Sequence, residues 1–231
     1  VVVSNLDPKD YLEVLFDSLL FKDVVKRHRV KFSSQIGNLG SHLINNFASL
    51  YSLRKLQDVL NLKSSTTTEK YTNYLEEAYL IFSVFRYSAK SIQRIKSPKK
   101  VYVVDNGFVT AKAIQHSPDK GKLMENLVFM ELVKRGAKPT KELFYYKTRN
   151  DREVDFVIKN GTEVVESIQV CYELKNPDVE KREVKALIET GGELKTKKLT
   201  VLTWDEKREI EKDGATIQVR PLWEWLLEHS S

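Results

Sequence analysis

The stretch "DREVDFVIKNGTEVVESIQVCYEL", residues 151–174, decides the fold that the sequence predicts for the second half of the chain. Apolar residues flank Asp155 on both sides, which is typical of a β-strand with a buried face. The dipeptide Asn160-Gly161 is a turn signal, and the apolar run after it ends near Cys171. We therefore predict a β-hairpin in which Asp155 requires a hydrogen-bonding partner or a metal ion, because its carboxylate stands among apolar neighbours.

The segments around this hairpin predict a domain with the order helix, three strands, helix, strand. Residues 121–136 are apolar at helical spacing and end at Gly136, which is typical of a helix C-terminus. A second helical pattern covers residues 178–195, and a strand and a helix follow at the end. The predicted strands are "ELFYYKTR" (142–149), "EVDFVIKN" (153–160), "ESIQVCYEL" (166–174), "KLTVLTWD" (198–205) and "ATIQVRP" (215–221).

The first hundred residues predict mainly helices. The third and fourth are joined by a short break at Lys63-Ser64, and the fourth opens with small polar residues, which is the helix-turn-helix pattern. Two β-like stretches, 81–89 and 99–108, flank residues 90–98 and predict a two-stranded wing. The predicted helices cover residues 8–30, 33–48, 49–62 and 64–84.

We therefore expect an α+β chain. A helical connector covers residues 1–30, and a winged-helix domain of helices and a small wing covers residues 31–100. Residues 101–231 form an α/β domain with a mixed central sheet, of the restriction-endonuclease-like type described below.

The predicted wing is strongly basic. Between Arg86 and Lys100 the chain carries no acidic residue, so the segment produces a positive field that favours backbone phosphates. In a helix-turn-helix, the front of the second helix contacts bases or phosphates. The alternative is a solvated basic loop that serves only domain packing. The candidate DNA-binding residues are Ser65, Thr66, Thr67, Lys70, Arg86, Lys90, Arg94, Lys96, Lys99 and Lys100.

Carboxylates in the second domain follow the order found in metal-dependent nucleases of the PD-(D/E)XK type. Such sites use acidic groups to hold Mg²⁺ or Mn²⁺, and a lysine to stabilise the charge that develops on the phosphate. The helix provides Glu125 and the second strand provides Asp155, so these two are the candidate metal ligands. The third strand carries Gln169-Val-Cys171 where Glu-x-Lys is expected.

This departure leaves the predicted site incomplete. Gln169 offers a carbonyl oxygen but no charge, and Cys171 cannot supply the missing cation. Lys147, on the neighbouring predicted strand, is the nearby residue that could replace it. We interpret Cys171 as a small core residue, since no histidine lies near it in the sequence to activate it.

Several stretches, in order along the chain, resemble the C-terminal region of archaeal AAA-type ATPases, which carry a P-loop ATPase domain, a winged helix and a restriction-endonuclease-like domain. The resemblance implies an ATPase domain that precedes this chain and acts as its partner. The chain itself has no G-x-x-x-x-G-K-[ST] motif, so no ATP site is expected in it. The stretches are "FKDVVKRHRV" (21–30), "YLEEAYLIFSVFRYS" (74–88), "KKVYVVDNGF" (99–108), "MENLVFMELVKRG" (124–136), "REVDFVI" (152–158) and "IQVCYEL" (168–174).

The composition is typical of a cytoplasmic protein. The 231 residues carry a formal net charge of +6, and 41% are hydrophobic, which is enough for a buried core. A single cysteine excludes an internal disulfide and a cysteine-based zinc site. No apolar run is long enough to span a membrane, and the first residues lack the features of a secretory signal. Because the first residue is not methionine, we expect a fragment of a longer protein.

The sequence leaves three functions open. The preferred one is DNA binding, with a nuclease-like domain that is degenerate and catalytically weak or inactive. The second is an active Mg²⁺- or Mn²⁺-dependent DNA nuclease that uses Glu125, Asp155 and Gln169. The third is an interaction module that docks on its own ATPase domain without nucleic acid.

Overall fold

The computed structural model describes residues 7–112 and 119–228. The fold is mixed α+β, with one three-stranded and one six-stranded sheet among these residues, so the predicted α+β class is confirmed. Within the described ranges, no helix is long and apolar enough to cross a membrane. The chain forms two compact units, of which unit 1 takes residues 1–83 and 98–126 and unit 2 takes residues 84–97 and 127–231.

Unit 1 is built mainly from helices. The starts of three of them are fixed by side chains of Asp7, Ser52 and Ser64, which accept a hydrogen bond from a backbone N–H of the first turn. A π-helical segment, Leu20–Lys26, continues the first helix. The helices are α1 (Pro8–Leu19), α2 (Ser33–Asn45), α3 (Leu53–Val59), α4 (Ser65–Glu77) and α6 (Asn106–Lys112), with α5 (Ser91–Lys96) in unit 2 and α7 (Lys120–Lys134) starting in unit 1.

The strands of the unit 1 sheet alternate with helices along the chain. Within the sheet the strand order is β1-β3-β2. β1 runs antiparallel to β3, with Ser49 opposite Val101. The hydroxyls of Tyr51 and Ser83 lie 2.5 Å apart in the interior and share a hydrogen bond. The strands are β1 (Ser49–Tyr51), β2 (Ile81–Val84) and β3 (Lys99–Val103).

Some of the elements predicted for the first hundred residues are wrong. Residues 49–51 were expected to start a helix but form β1, because Ala48 has a φ of 49° and donates its N–H to the carbonyl of Val101. The predicted fourth helix ends before Tyr79, which has a φ of 55°. Residues 90–98, expected to be the loop of the wing, contain α5. In the first two cases backbone pairing or a left-handed residue overrides the local apolar pattern.

Unit 2 is organised by one mixed sheet with the strand order β4-β5-β6-β7-β9-β8. The first three strands are antiparallel neighbours, whereas β6 and β7 are parallel and are connected through α8. The predicted order of helix, three strands, helix and strand is confirmed. The elements are β4 (Leu143–Lys147), β5 (Glu153–Asn160), β6 (Glu163–Val170), α8 (Pro177–Leu194), β7 (Leu199–Thr203), β8 (Arg208–Lys212), β9 (Ala215–Pro221) and α9 (Leu222–Leu227).

The hairpin predicted from the turn signal is present between β5 and β6. Gly161 has a φ of 58°, which glycine adopts without strain, and Asn160 pairs with Glu163 across the turn. Strand β8 is missing from the prediction because its sequence, "REIEK", is mostly charged and only Ile210 is partly buried.

One face of α8 packs on the sheet of unit 2. Val184 and Leu187 are buried in one cluster with Val157 of β5 and Val201 of β7. Asn176 begins the helix, because its side chain accepts hydrogen bonds from the first N–H groups. This packing fixes which side chains of α8 face the strands that carry the candidate site.

The predicted domain ranges stay a prediction. The boundary at residues 30 and 31 lies between the π-helical segment and α2, and the boundary at residues 100 and 101 lies inside β3. Residues 1–6, 113–118 and 229–231 of the predicted domains lie outside the described residues.

Candidate nuclease-like site and nucleic-acid interface

Asp155 and Gln169, two of the predicted site residues, lie side by side in β5 and β6. The Asp155 backbone N–H donates to Oε1 of Gln169 at 3.2 Å, and Oδ2 of Asp155 accepts from the Val170 N–H at 3.0 Å. Both side chains are buried. The hairpin therefore satisfies the Asp155 carboxylate as a structural group, and one of the oxygens expected to face a metal ion is already engaged.

Glu183 joins this pair from α8 and is absent from the sequence-based prediction. Its side chain accepts a hydrogen bond from Arg182 Nε at 2.9 Å and also hydrogen-bonds with Gln169. Burial raises the pKa of Glu183 above its ordinary value, and the nearby Asp155 carboxylate raises it further. The sequence does carry a signal for it, because Glu183 stands in the apolar stripe of an amphipathic helix, where a carboxylate requires a partner.

Asp155, Gln169 and Glu183 line a cavity of about 360 Å³ in unit 2, here called the carboxylate cavity. In the part of the chain that the structure describes, no group of three or more His, Cys, Asp or Glu side chains is arranged to hold a metal ion. The donors of the carboxylate cavity therefore fit a divalent cation only in part, with water required for the remaining positions. The other lining residues are Asn150, Asp151, Arg152, Glu153, Arg182 and Ala186.

Glu125, the predicted metal ligand from the helix, lies in unit 1. Its Oε1 is 2.8 Å from Nζ of Lys100 and accepts a hydrogen bond from the Tyr102 hydroxyl at 2.6 Å. The Lys100 side chain is only 3% exposed. Two residues that the sequence assigns to different functions, metal binding and DNA binding, thus form one buried ion pair.

Lys147, the predicted substitute cation, has other contacts. Its Nζ lies 3.2 Å from the carboxylate of exposed Asp151, and its carbonyl accepts a hydrogen bond from Arg86 Nη2 at 2.8 Å. Lys147 lines a second cavity of unit 2, described below, and is not among the residues that line the carboxylate cavity. Arg182 is the cation next to Glu183.

Cys171 was expected in a core strand, but it follows the last residue of β6 and is only partly buried. Burial raises the pKa of its thiol to about 11, and the carboxylates of Glu183 and Asp155 add to the shift. The thiol is therefore protonated at neutral pH and is a poor nucleophile. It packs against the apolar cluster of unit 2.

The six basic residues of the predicted wing divide between the two units. Lys99 and Lys100 lie in β3 of unit 1, and Lys100 is buried. The other four belong to unit 2, where Lys90 and Lys96 are exposed and Arg86 and Arg94 are half-buried. Lys100 cannot contact DNA without losing its partner Glu125.

Arg86 and Lys90 line a cavity of about 790 Å³ in unit 2, here called the basic cavity. It is formed by the segment around residues 86–93, the end of β4, the start of β6 and the end of α8. Its cationic lining residues are Arg86, Lys90, Lys147, Arg149 and Lys195, its carboxylates are Glu163 and Glu193, and its aromatic residues are Tyr87 and Tyr146.

The front of α4 carries four of the predicted DNA contacts, but two of these residues already have hydrogen-bond partners within the protein. Thr67 donates its N–H to the Ser64 hydroxyl, and the Ser65 hydroxyl donates to Gln57 at 2.6 Å. Thr66 and Lys70 are exposed. The surface of this helix end is therefore more limited than the sequence indicates.

Comparison with known proteins identifies the family. The chain belongs to the family described as "Domain of unknown function (DUF8612)", which matches residues 1–119. Residues 120–225 match "Domain of unknown function (DUF4143)", which is found in AAA-ATPase-associated proteins.

Two curated relatives are uncharacterized proteins. The chain is 36% identical over 233 residues to a protein of Methanocaldococcus jannaschii, which covers 96% of this chain and 51% of the relative. It is 26% identical over 167 residues to a protein of Haemophilus influenzae, which covers 71% of this chain and 40% of the relative. The chain thus spans about half, or less, of the length of the curated relatives it matches.

One solved structure with partial similarity is a complex of Thermococcus gammatolerans McrB AAA+ hexamers with bound McrC. The match has 14% sequence identity and a TM-score of 0.32, and it covers 80% of this chain and 47% of that chain.

The buried ion pair of Lys100 and Glu125 predicts a specific pattern of stabilities. Lys100→Met or Glu125→Gln alone leaves one uncompensated buried charge, so each should lower the free energy of unfolding by about 3–5 kcal/mol. The double variant removes both charges and keeps an acceptor for Tyr102, so it should recover most of the loss. Urea unfolding followed by circular dichroism measures this cycle. Additive losses in the double variant would contradict the interpretation.

The raised pKa of Glu183 predicts a pH dependence of stability. The stability that this carboxyl contributes is fully present below the pKa of an unfolded glutamate, about 4.3, and is lost as the pH rises through its raised folded pKa. In Glu183→Gln, the free energy of unfolding should therefore fall less than in the wild type when the pH rises from about 4.5 to 7. Glu173→Gln, which removes an exposed carboxylate, is the control. Parallel curves for Glu183→Gln and the wild type would contradict the assignment.

Proposed function

We propose that this chain is the DNA-binding part of a longer AAA-type ATPase. The observation that carries the proposal is the cationic surface of unit 2, where Arg86, Lys90, Arg94 and Lys96 lie in a segment without acidic residues. Two of these residues share the basic cavity with three cations of other segments. Clustered cations of this kind release counterions when they bind nucleic-acid phosphates, which provides affinity without sequence specificity.

The element order of unit 1 supports a winged helix. α2, β1, α3 and α4 are followed by β2 and β3, and the three strands form one sheet in which β3 is central. In such a domain α4 is the recognition helix. Its exposed Thr66 and Lys70 are the residues that we assign to DNA contact.

The element order of unit 2 supports a restriction-endonuclease-like domain. α7 precedes three antiparallel strands, α8 and a strand parallel to β6. We propose that this domain is degenerate, because Gln169 and Cys171 replace the acidic and cationic residues and Glu125 is paired with Lys100. It then serves as a binding surface.

The rest of the protein is proposed to be the ATPase. The resemblance to archaeal AAA-type ATPases, and the match to a domain found in AAA-ATPase-associated proteins, support this. Because the curated relatives are about twice as long as this chain, they have room for a further domain. That domain would be the physiological partner, and nucleotide-driven motion would move the bound DNA.

The DNA-binding proposal predicts which basic residues determine affinity. Arg94→Ala with Lys96→Ala should weaken duplex binding about tenfold at low salt and reduce the slope of log K against log salt by about 1.8, because two phosphate contacts are lost. Lys197→Ala with Lys212→Ala removes the same charge from exposed positions of unit 2 and should have a smaller effect. Fluorescence anisotropy with a labelled duplex across a salt series measures both. Equal affinities for the wild type and the Arg94/Lys96 variant would contradict the proposal.

An active nuclease is the second candidate function, and the position of Glu183 favours it. Together with Asp155 it supplies a second carboxylate to a cavity that Gln169 also lines, so the acidic residue missing from β6 has a spatial replacement. Mg²⁺ or Mn²⁺ bound there would polarise a phosphate oxygen. Arg182 would then take the charge-stabilising role that Lys147 was predicted to take.

The nuclease candidate predicts a metal-dependent nick that requires this pair. With Mn²⁺ and supercoiled plasmid, Asp155→Ala and Glu183→Ala should each reduce nicking at least about a hundredfold, since each removes a charged ligand. Glu180→Ala, a matched change on the same helix outside the carboxylate cavity, should retain activity. If the wild type and both site variants nick the plasmid at the same rate, the activity comes from a contaminant. If the wild type does not nick the plasmid, the nuclease candidate is wrong and the domain is degenerate.

A further inference from the structure

We infer that the basic cavity binds a nucleotide through its terminal phosphate, which places the end of a nucleic-acid strand in unit 2. The inference rests on the proposed DNA binding and specifies which part of the nucleic acid this cavity receives. The lining of the basic cavity includes none of Asp155, Gln169 or Glu183.

The dimensions of the basic cavity fit one nucleotide better than a duplex. Its volume of about 790 Å³ lies within the range of about 300–1,000 Å³ that small-ligand sites occupy. A duplex presents a convex surface that a flat or grooved interface contacts, whereas a single nucleotide at a strand end can enter a concave site. The cavity is therefore matched to an end or to a free nucleotide.

The charges of the basic cavity favour a phosphate monoester. Five cationic side chains line it, and they come from the segment that precedes α5, from the end of β4 and the residues after it, and from the residue that follows α8. A terminal phosphate carries a charge of about −1.5 to −2 near neutral pH, so it gains more from several cations than the singly charged diester within a strand. The planar guanidinium of Arg149 can hold two of its oxygens at once.

The lining of the basic cavity has more cations than carboxylates, five against two. Glu193 is occupied by the protein, because it accepts hydrogen bonds from the Tyr146 hydroxyl at 2.7 Å and from the Arg149 N–H at 3.1 Å. Burial and this hydrogen bond raise the pKa of Tyr146, so the hydroxyl remains a donor to Glu193. Glu163 is exposed at the start of β6.

Three of the cations are available to a ligand. The Arg86 guanidinium donates a hydrogen bond to the backbone carbonyl of Lys147. The Lys147 ammonium forms an ion pair with Asp151. Lys90, Arg149 and Lys195 are exposed, and none of their side chains forms an ion pair with another described residue. These three are the side chains that we assign to the phosphate.

The cavity also has an aromatic wall. Tyr87 and Tyr146 both line it, and their rings pack edge to face with centroids 6.2 Å apart. Tyr87 is held further by Phe144, at 5.6 Å. Aromatic side chains are the usual partners of nucleotide bases in single-stranded sites, so the wall suits the sugar and base that follow a terminal phosphate.

The test compares strand ends on one protein. A short single-stranded oligonucleotide is labelled at one end, and the other end carries a 5′-phosphate, a 3′-phosphate or a hydroxyl. Fluorescence anisotropy with the full chain should show about tenfold tighter binding to one phosphorylated end than to the hydroxyl end. The difference is expected from the charge-assisted hydrogen bonds that the terminal phosphate accepts. Arg149→Gln with Lys195→Gln should abolish the preference. Lys185→Gln with Lys212→Gln, at exposed positions that do not line the cavity, should keep it.

The outcomes separate this inference from the proposed function. Equal binding of all three ends, with salt-sensitive duplex binding intact, would overturn the inference and leave DNA binding in place. A preference that survives in the Arg149/Lys195 variant would overturn it as well.

Competition with deoxyadenosine monophosphate distinguishes a free nucleotide from a strand end. Displacement by the monophosphate but not by deoxyadenosine, lost in the Arg149/Lys195 variant, supports the cavity as a site for phosphate monoesters in general. If the wild type binds no nucleic acid, the proposed function fails, and isothermal titration with the monophosphate then decides the inference alone, where absence of binding overturns it.

Discussion

The attachment of α7 to β3 is the interaction on which unit 1 depends. Glu125 pairs with Lys100 and accepts from Tyr102, and the next residue, Asn126, bonds both the N–H and the carbonyl of Val103. Charges are tolerated in the interior only when they are paired and hydrogen-bonded. This arrangement therefore fixes the position of α7 and removes Lys100 and Glu125 from the surface at the same time.

The same rule of paired buried charge shapes the candidate site of unit 2. The buried Asp155 carboxylate would destabilise the fold without the hydrogen bond from the Val170 N–H. The Glu183 carboxylate would do so without Arg182. A site whose carboxylates are held by the protein in this way has less need of a metal ion for stability. This is a physical reason to prefer a binding role for the domain, with chemistry as the second candidate.

Sequence reasoning predicts the parts of the fold that local chemistry determines. The turn at Asn160-Gly161 and the capped helices follow from left-handed glycine and side-chain acceptors within a few residues. β1 is not predicted because its three residues are defined by their pairing with β3. β8 is not predicted because most of its residues are charged. Glu183 is missed since its relation to Asp155 arises from tertiary packing, whereas Asp155 with Gln169 follows from hairpin register. The pairing of Glu125 with Lys100 is missed for the same tertiary reason.

The path of the chain through the two units has a consequence for how the protein can be divided. The segment 84–97 leaves unit 1 after β2 and belongs to unit 2, and the chain then returns to unit 1 for β3 and the start of α7. During synthesis, unit 1 cannot complete its sheet until residue 103 has been made, and the ion pair of Lys100 cannot form until residue 125 has been made. A fragment that stops at residue 100 would keep the lysine and lose its partner. A fragment of this protein that is intended to fold must therefore contain both Lys100 and Glu125, whereas the predicted domain boundary at residues 100 and 101 separates them.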